Sequence, residues 1–373
     1  MADNIIYLIA SVLPFLCCLW WTITLLLEKL SGRNQSPAAG AFLNFVAVST
    51  LLYFCHFCHF VFPNSTISTI AESVWIFCTL SVYPLFGLWI YRLTNAESGR
   101  KGTAGFTIPA AVILIPSLVF FTISVVFTIA GVGRKWLMLA VKLFFAAEVV
   151  FTAVYGIRAL RAYRIGIANF YADTEGKELR SVGTMLTLLL LTSLFSMVSN
   201  LVGRDLFAGS VLLVIPSLVF TVLLYSISYI GRRPVFDASS MQKDLIQEEG
   251  TDAEEKQNTE EDRPDVLLQK IRHAMEGDRL YLRQGLKISD LALAVGSNRS
   301  YVSNCINNNI GLSFSDFVAS YRIKEAISIL EDVSEGVSIE SIGWKSGFAS
   351  RSQFYRSFKK ETGLSPGQWL EKH

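Results

Sequence analysis

The chain has 373 residues, of which 51% are hydrophobic and 17% are charged, and its formal net charge is +2. Soluble domains carry about 25% charged residues, so this composition excludes an ordinary soluble protein. The charge is unevenly distributed, with a net +7 over residues 1–236, −7 over residues 237–263 and +2 over residues 264–373. These three regions predict a transmembrane domain, an acidic linker and a separate C-terminal domain.

Seven apolar runs occur before residue 236, and each is long enough to cross a bilayer, which takes about 20 helical residues. The first run is too long for a cleavable signal peptide and has no basic segment before it. The sequence therefore predicts an all-α bundle of seven transmembrane helices. The runs lie at residues 5–27, 41–62, 71–91, 106–129, 136–157, 182–202 and 209–230.

Lysine and arginine are concentrated in alternate connections between these runs. With the N-terminus outside, the internal connections hold 12 of them and the external segments hold three. The positive-inside rule then places the C-terminal region in the cytoplasm of a bacterium, with the bundle in the inner membrane. Because the external segments are short, a signal is expected to enter through the bundle, as a small molecule, a lipid or another membrane protein.

Ionisable and metal-ligating residues also occur inside the predicted spans. Lys142 and Glu148 lie in the fifth span, where charge is costly in hydrocarbon. Lys142 is expected to be either functional or directed outward to the membrane surface, and Glu148 either functional or held by a structural hydrogen bond inside the bundle. A Cys/His cluster in the second span has the ligand types of a copper, zinc or haem site. Ordinary helix packing is the favoured alternative, so no metal or cofactor is predicted. The residues that would form such a site are Cys55, His56, Cys58 and His59.

Residues 237–263 are polar, acidic and poor in aromatic side chains. A segment of this composition does not bury a core and is typical of a solvated, flexible linker. We therefore expect it to separate the bundle from a domain formed by residues 264–373.

Helical periodicity without an apolar span marks residues 264–373. After a first helix near Asp265–Met275, a short helix with Ser289 as its N-cap ends at Gly296, and a second helix covers Asn298–Asn307. Two short helices around a glycine turn indicate a helix-turn-helix, whose second helix enters the DNA major groove. The inward side of that second helix is predicted to carry Val302, Cys305 and Ile306.

The same unit occurs a second time further along the chain. Residues 338–348 form its support helix and turn, and Ser350–Glu361 form its recognition helix, with Phe354 and Phe358 facing inward. A longer helix, about Ser313–Glu331, joins the two units.

The last hundred residues contain a characteristic set of motifs, namely Ser313–Phe317, Arg322–Ala326, Ile342, Gly347, Phe348 and the closing stretch Phe354–Pro366. In these motifs the region resembles the DNA-binding domain of the AraC/XylS family. The resemblance implies transcription control, commonly activation, by two recognition helices in successive major grooves. It also implies promoter DNA and RNA polymerase as partners, and a homodimer is a separate expectation.

The family's DNA contacts map onto exposed positions of the two recognition helices. In the first unit these positions are Arg299, Ser300, Ser303 and Asn304. In the second unit the base contacts are expected at Arg351, Ser352, Tyr355 and Arg356, and the phosphate contacts at Lys359, Lys360 and Lys345.

The first unit departs from the family pattern, because Asn304, Asn307 and Asn308 stand where basic residues are common and Ile306 stands where phenylalanine is common. We expect this unit to grip phosphate less strongly, whereas asparagine suits bidentate contact with adenine.

The sequence thus predicts a membrane-anchored one-component transcription regulator, and more specifically an activator. The alternative is a membrane transporter or receptor whose cytoplasmic helical tail binds a protein partner. An enzyme is not predicted, because the soluble parts show no nucleophile–base pair, carboxylate pair or phosphate-binding loop.

Overall fold

The computed structural model describes residues 2–33, 36–62, 66–94, 102–131, 133, 135–177, 179–202, 214–232, 264–332 and 338–372. Over these ranges the structure is all-α, and its one β-type pairing is an isolated antiparallel bridge between Tyr171 and Lys287. The chain divides into two compact units. The first lies within Met1–Leu160 and Leu179–Lys243, and the second lies within Arg161–Glu178 and Asp244–His373. The predicted acidic linker, residues 237–263, falls outside the described residues.

Seven apolar helices are found in the described residues up to Arg232. Each coincides with a predicted run, although residues 209–213 of the seventh run lie outside the description. Within the described residues, four segments are long and apolar enough to cross a membrane, namely Val12–Leu30, Pro37–His59, Thr66–Thr94 and Lys135–Phe170. The helices are α1 (Ala2–Leu30), α2 (Pro37–Val61), α3 (Thr66–Thr94), α4 (Gly102–Ile129), α5 (Lys135–Phe170), α6 (Arg180–Val202) and α7 (Val214–Arg232).

Helix α5 is longer than the apolar run that predicts it. The run ends at residue 157, before three arginines, but the helix continues to Phe170. Arginine and alanine, which are frequent over residues 158–169, are good helix formers. The loss of hydropathy therefore ends the apolar segment without ending the helix.

Small polar side chains and aromatic rings hold the first unit together. The hydroxyls of Thr22 and Thr50 are hydrogen-bonded across α1 and α2 at 2.8 Å, and Ser117 donates to the Leu80 carbonyl across α3 and α4 at 3.0 Å. Such bonds are expected where helices associate in lipid. The fully buried rings are Phe42, Phe45, Phe86 and Trp89.

Large apolar side chains cover the outside of the same helices. Trp20 is 67% exposed and Leu143 is 65% exposed, and many others resemble them. Large contiguous apolar surface is rare on soluble monomers. This surface is what a lipid-facing bundle requires.

The polar residues noted within the spans have different environments. Lys142 is exposed, whereas Glu148 is buried and neither of its carboxylate oxygens accepts a hydrogen bond from the described residues. Trp75 Nε1 donates to His56 Nε2 at 3.1 Å, and His59 Nδ1 is hydrogen-bonded to Ser68 Oγ at 2.8 Å. These two bonds are what the packing alternative predicts.

The Cys/His cluster does not assemble into a metal centre in the part of the chain described here. Cys55 and Cys58 are buried against Ala71 of α3. No group of three or more His, Cys, Asp or Glu side chains that could hold a metal occurs among the described residues. The candidate set Cys55, His56, Cys58 and His59 thus gains no support as a site.

The second unit contains short helices around a compact core. That core combines aliphatic and aromatic residues, with Phe348, Phe354 and Phe358 at its centre. Its elements are α8 (Pro264–Glu276), a 3₁₀ turn (Leu280–Leu282), α9 (Ile288–Val295), α10 (Arg299–Asn304), a π turn (Cys305–Ile310), α11 (Phe314–Asp332), α12 (Ile339–Lys345), α13 (Arg351–Thr362) and α14 (Pro366–Lys372).

The predicted helices of residues 264–373 are present, with two differences. The predicted helix Asn298–Asn307 is α-helical only over Arg299–Asn304 and then passes into the π turn, and one predicted cap is wrong. Helix α9 begins at Ile288 with Lys287, not Ser289, as its N-cap. The reason is that Asp290 returns to the helix start, where its carboxylate accepts the Lys287 N–H at 2.8 Å. Gly296 ends the helix with a φ of 65°, as the predicted turn requires.

Candidate nucleic-acid interface

The first recognition helix, α10, follows the Gly296 turn. Asn298 caps its start, since the side-chain Oδ1 accepts the Tyr301 N–H at 2.8 Å. The predicted inward residues are confirmed: Val302, Cys305 and Ile306 are all at most 4% exposed. Their burial turns the opposite face of the helix outward.

Two of the four DNA contacts predicted for the first helix-turn-helix, Ser300 and Asn304, lie exposed on that outward face. Ser303 is half-buried, and its hydroxyl accepts a hydrogen bond from Asn307 Nδ2 at 3.1 Å. Arg299 is half-buried as well, with its guanidinium 5.9 Å from the ring centroid of Phe170. The outward face therefore combines hydroxyl and amide groups with a single arginine.

The second recognition helix, α13, follows the turn at Gly347. Gly347 has a φ of 90°, and a Cβ atom added to it would lie 2.7 Å from the Tyr281 carbonyl oxygen. Only glycine fits this position. Ser350 caps α13 by accepting the Gln353 N–H at 3.2 Å. Phe354 and Phe358 are completely buried, as predicted. The helix is thereby fixed in its rotation about its own axis.

The charged residues of α13 point away from this core. Arg351 forms an ion pair with Glu340 and lies 5.2 Å from the ring centroid of Tyr355, which is half-buried. Lys360 is paired with Asp316 at 2.5 Å. Of the DNA contacts predicted for the second helix-turn-helix, those that are exposed on α13 are Arg351, Ser352, Arg356, Lys359 and Lys360. Lys345 is exposed at the end of α12.

A buried ion pair between Arg322 and Asp173, both in the second compact unit, was not predicted from the sequence. Arg322 of α11 is 1% exposed, and its Nη1 donates to Asp173 Oδ1 at 2.7 Å. Its remaining nitrogens donate to the carbonyls of Tyr281 at 2.7 Å and Arg283 at 2.9 Å. Burial lowers the pKa of this guanidinium, and the Asp173 carboxylate opposes that effect. Each of the three guanidinium nitrogens of Arg322 thus donates a hydrogen bond.

Asp173 belongs to the connection between α5 and α6, which was predicted only as one of the basic internal connections. Glu175 of the same connection accepts hydrogen bonds from the hydroxyls of Ser350 and Ser352 at the start of α13. The one sequence signal was the cluster of acids at residues 173, 175 and 178 within an otherwise basic connection.

Comparison with known proteins assigns the same region. The helix-turn-helix domain family matches residues 276–372. The melibiose operon regulatory protein of Escherichia coli (strain K12) is 33% identical over 86 residues, covering 23% of this chain and 28% of that protein. The uncharacterized HTH-type transcriptional regulator YtdP of Bacillus subtilis (strain 168) is 29% identical over 107 residues, covering 29% of this chain and 13% of YtdP.

The alignments thus cover less than a third of each of these two relatives. No solved structure gives a significant match. The family match, the relatives and the two structural units around α10 and α13 agree with one another. Residues 276–372 of this chain are an AraC-type helix-turn-helix domain, and the chain is similar in this part to HTH-type transcription regulators.

Proposed function

We propose that the chain is a membrane-anchored transcription regulator that binds promoter DNA in a sequence-specific manner. The observation that carries the proposal is the outward face of α13, where Arg351, Ser352, Arg356, Lys359 and Lys360 are exposed beside a fully buried aromatic core. A helix fixed by its core and presenting donors on the other face has the geometry needed to read the major groove.

Within this interface the contacts divide by chemistry. Arg356 and Arg351 are suited to the two acceptors of guanine, and Asn304 to the donor and acceptor of adenine. Lys359 and Lys360 lie further along α13 and bind phosphate, which adds affinity without sequence information. Ser300, Ser303, Arg299, Ser352 and Tyr355 complete the proposed contact set.

The proposal of a membrane anchor rests on the apolar helices α1 to α7. Four of them meet the length and apolarity needed for a span, and their outer surfaces carry exposed leucine, valine and tryptophan. The bias of lysine and arginine supports a bacterial inner-membrane location with a cytoplasmic C-terminus. A reporter fused after Arg233 should therefore behave as cytoplasmic and one fused at Asn64 as external, and the reverse result would exclude direct DNA binding.

Activation through RNA polymerase and a signal received by the bundle complete the proposal. Activation through RNA polymerase is supported by the resemblance to AraC/XylS regulators, and the name of the melibiose operon relative describes operon regulation. A signal through the bundle is supported by the shortness of the external segments. A homodimer is proposed in addition.

DNA binding by the full-length chain in lipid nanodiscs tests the proposal. Sheared genomic DNA is passed over the immobilised nanodiscs, and the retained fragments are sequenced. We expect a reproducible set of enriched fragments that is lost in Arg356→Ala and kept in Lys372→Ala, since Lys372 lies at the exposed end of α14, outside α13. Retention of the same fragments by Arg356→Ala would contradict the proposed interface, and the absence of any enriched fragment for the unmodified chain would favour the alternative of a transporter or receptor whose tail binds a protein.

A further inference from the structure

The connection between α5 and α6 is built into the DNA-binding unit. We call residues Tyr171–Lys177 the docking loop. Its backbone pairs with the segment before α9, through the Tyr171–Lys287 bridge and a hydrogen bond from the Ala172 N–H to the Leu286 carbonyl at 2.9 Å. Tyr171, Ala172 and Asp173 are each at most 5% exposed. A mere tether between two helices would not be buried in this way.

Asp173 anchors the docking loop to the middle of the unit. One of its carboxylate oxygens accepts from Arg322 Nη1 and the other from the Gly285 N–H, each at 2.7 Å. Both members of the ion pair are almost completely buried. Because an unpaired buried charge is strongly unfavourable, each charge holds the other in place.

The docking loop and the residue before it reach both parts of the proposed interface. The Ala172 carbonyl accepts from Gln353 Nε2 of α13 and from Ser315 Oγ of α11, both at 2.9 Å. The ring of Phe170, directly before the loop, lies 5.9 Å from the guanidinium of Arg299 in α10. The loop therefore contacts α13 and α11, and the residue before it contacts α10.

Glu175 lies at the DNA-facing start of α13. Its two carboxylate oxygens accept from the hydroxyls of Ser350, the N-cap, and Ser352. The start of a helix carries a partial positive charge and favours an anion. Backbone and hydroxyl donors at such a position are also what bind DNA phosphate. A carboxylate and a phosphodiester group compete for these donors, because both are anions and the hydroxyls are the same.

We propose that the docking loop is an autoinhibitory element, in which Glu175 takes the place of a DNA phosphate at the start of α13. This inference rests on the proposed function. Promoter binding then requires Glu175 to leave Ser350 and Ser352, while Asp173 keeps the rest of the loop attached to Arg322. Helix α5 ends at Phe170, directly before the docking loop.

The test compares single-charge variants of the full-length chain in nanodiscs. The probe is a fluorescein-labelled DNA duplex of mixed sequence, titrated at low salt. Glu175→Gln keeps the shape of the exposed side chain and removes its charge, so the fold is retained. Glu331→Gln is the matched control, because Glu331 is an exposed acid at the end of α11 and lies outside the docking loop. Lys359→Ala reports whether binding uses α13.

We expect Glu175→Gln to bind the duplex about fivefold more tightly than Glu331→Gln does, the size of effect given by loss of charge-assisted hydrogen bonds at an exposed site. If the two variants bind equally while Lys359→Ala still weakens binding, the autoinhibitory role is wrong and the proposed function stands. If no variant, Glu175→Gln included, binds the duplex, the proposed function fails and the inference fails with it.

Discussion

The two helix-turn-helix units share a plan but differ in their chemistry. Helix α10 has six residues and passes into a π turn containing Asn307, Asn308 and Asn309, whereas α13 is a regular helix of twelve residues. Asparagine is a poor helix former, and aromatic packing extends α13. The first helix-turn-helix therefore presents a short recognition surface rich in amide side chains, and the second presents a long recognition surface rich in cationic side chains.

The docking loop meets the two units unequally. Only the residue before it, Phe170, lies beneath Arg299 of the first helix-turn-helix, whereas the loop itself forms hydrogen bonds with Ser350, Ser352 and Gln353 at the second. The helix-turn-helix with more cations is thus also the one whose recognition helix, α13, is contacted at its start by the carboxylate of Glu175. We therefore propose that DNA affinity and its control lie together in the second helix-turn-helix, while the first contributes mainly sequence reading.

Removal of the Asp173 charge has the largest expected effect. It tests whether the docking loop stabilises the fold of the second helix-turn-helix. In Asp173→Asn the buried Arg322 loses its counter-charge, which costs about 3–5 kcal/mol. Hydrogen exchange of the full-length chain in nanodiscs should show much faster exchange in α11 and α13. Asp332→Asn, at an exposed position, is the control. Equal protection in both variants would show that the pair does not stabilise the unit.

Base reading is expected to be divided between Arg356 and Asn304. At an enriched genomic fragment, Arg356→Ala should cost about 1–3 kcal/mol and relax preference at guanine. The neutral amide of Asn304 contributes less, so Asn304→Ala should cost about 1 kcal/mol and relax preference at adenine. Competition with single-base variants of the fragment measures both effects. If Arg356→Ala loses specific and non-specific binding in the same proportion, Arg356 does not read bases.

The smallest expected effect concerns salt dependence. Lys359→Ala should weaken all sequences alike and reduce the slope of log affinity against log salt by up to about one, since one phosphate contact is lost. Asn307→Ala, in the first unit, should leave the slope unchanged. Titrations of the full-length chain at several salt concentrations measure this. Equal slopes for wild type and Lys359→Ala would remove Lys359 from the phosphate contacts.

Local patterns predicted much of this fold, because apolar length and helical spacing are properties of short segments. The seven helices, the inward residues Val302 and Phe354 and the turn at Gly296 were all readable in this way. The Asp173–Arg322 pair was not, since its partners are separated by 149 residues and only tertiary packing brings them together. The true cap of α9 was missed because Ser289 has a suitable side chain, and only the return of Asp290 to the Lys287 N–H decides the start of the helix.

The claim that a membrane-embedded chain binds promoter DNA through α13 is tested most directly in cells. Chromatin immunoprecipitation of the full-length protein from washed membranes, after cross-linking, should recover discrete promoter regions. Arg356→Ala should lose those regions, and Lys372→Ala should keep them at the same level of protein in the membrane. Recovery of no discrete region by the wild-type protein and by Glu175→Gln alike would contradict the account.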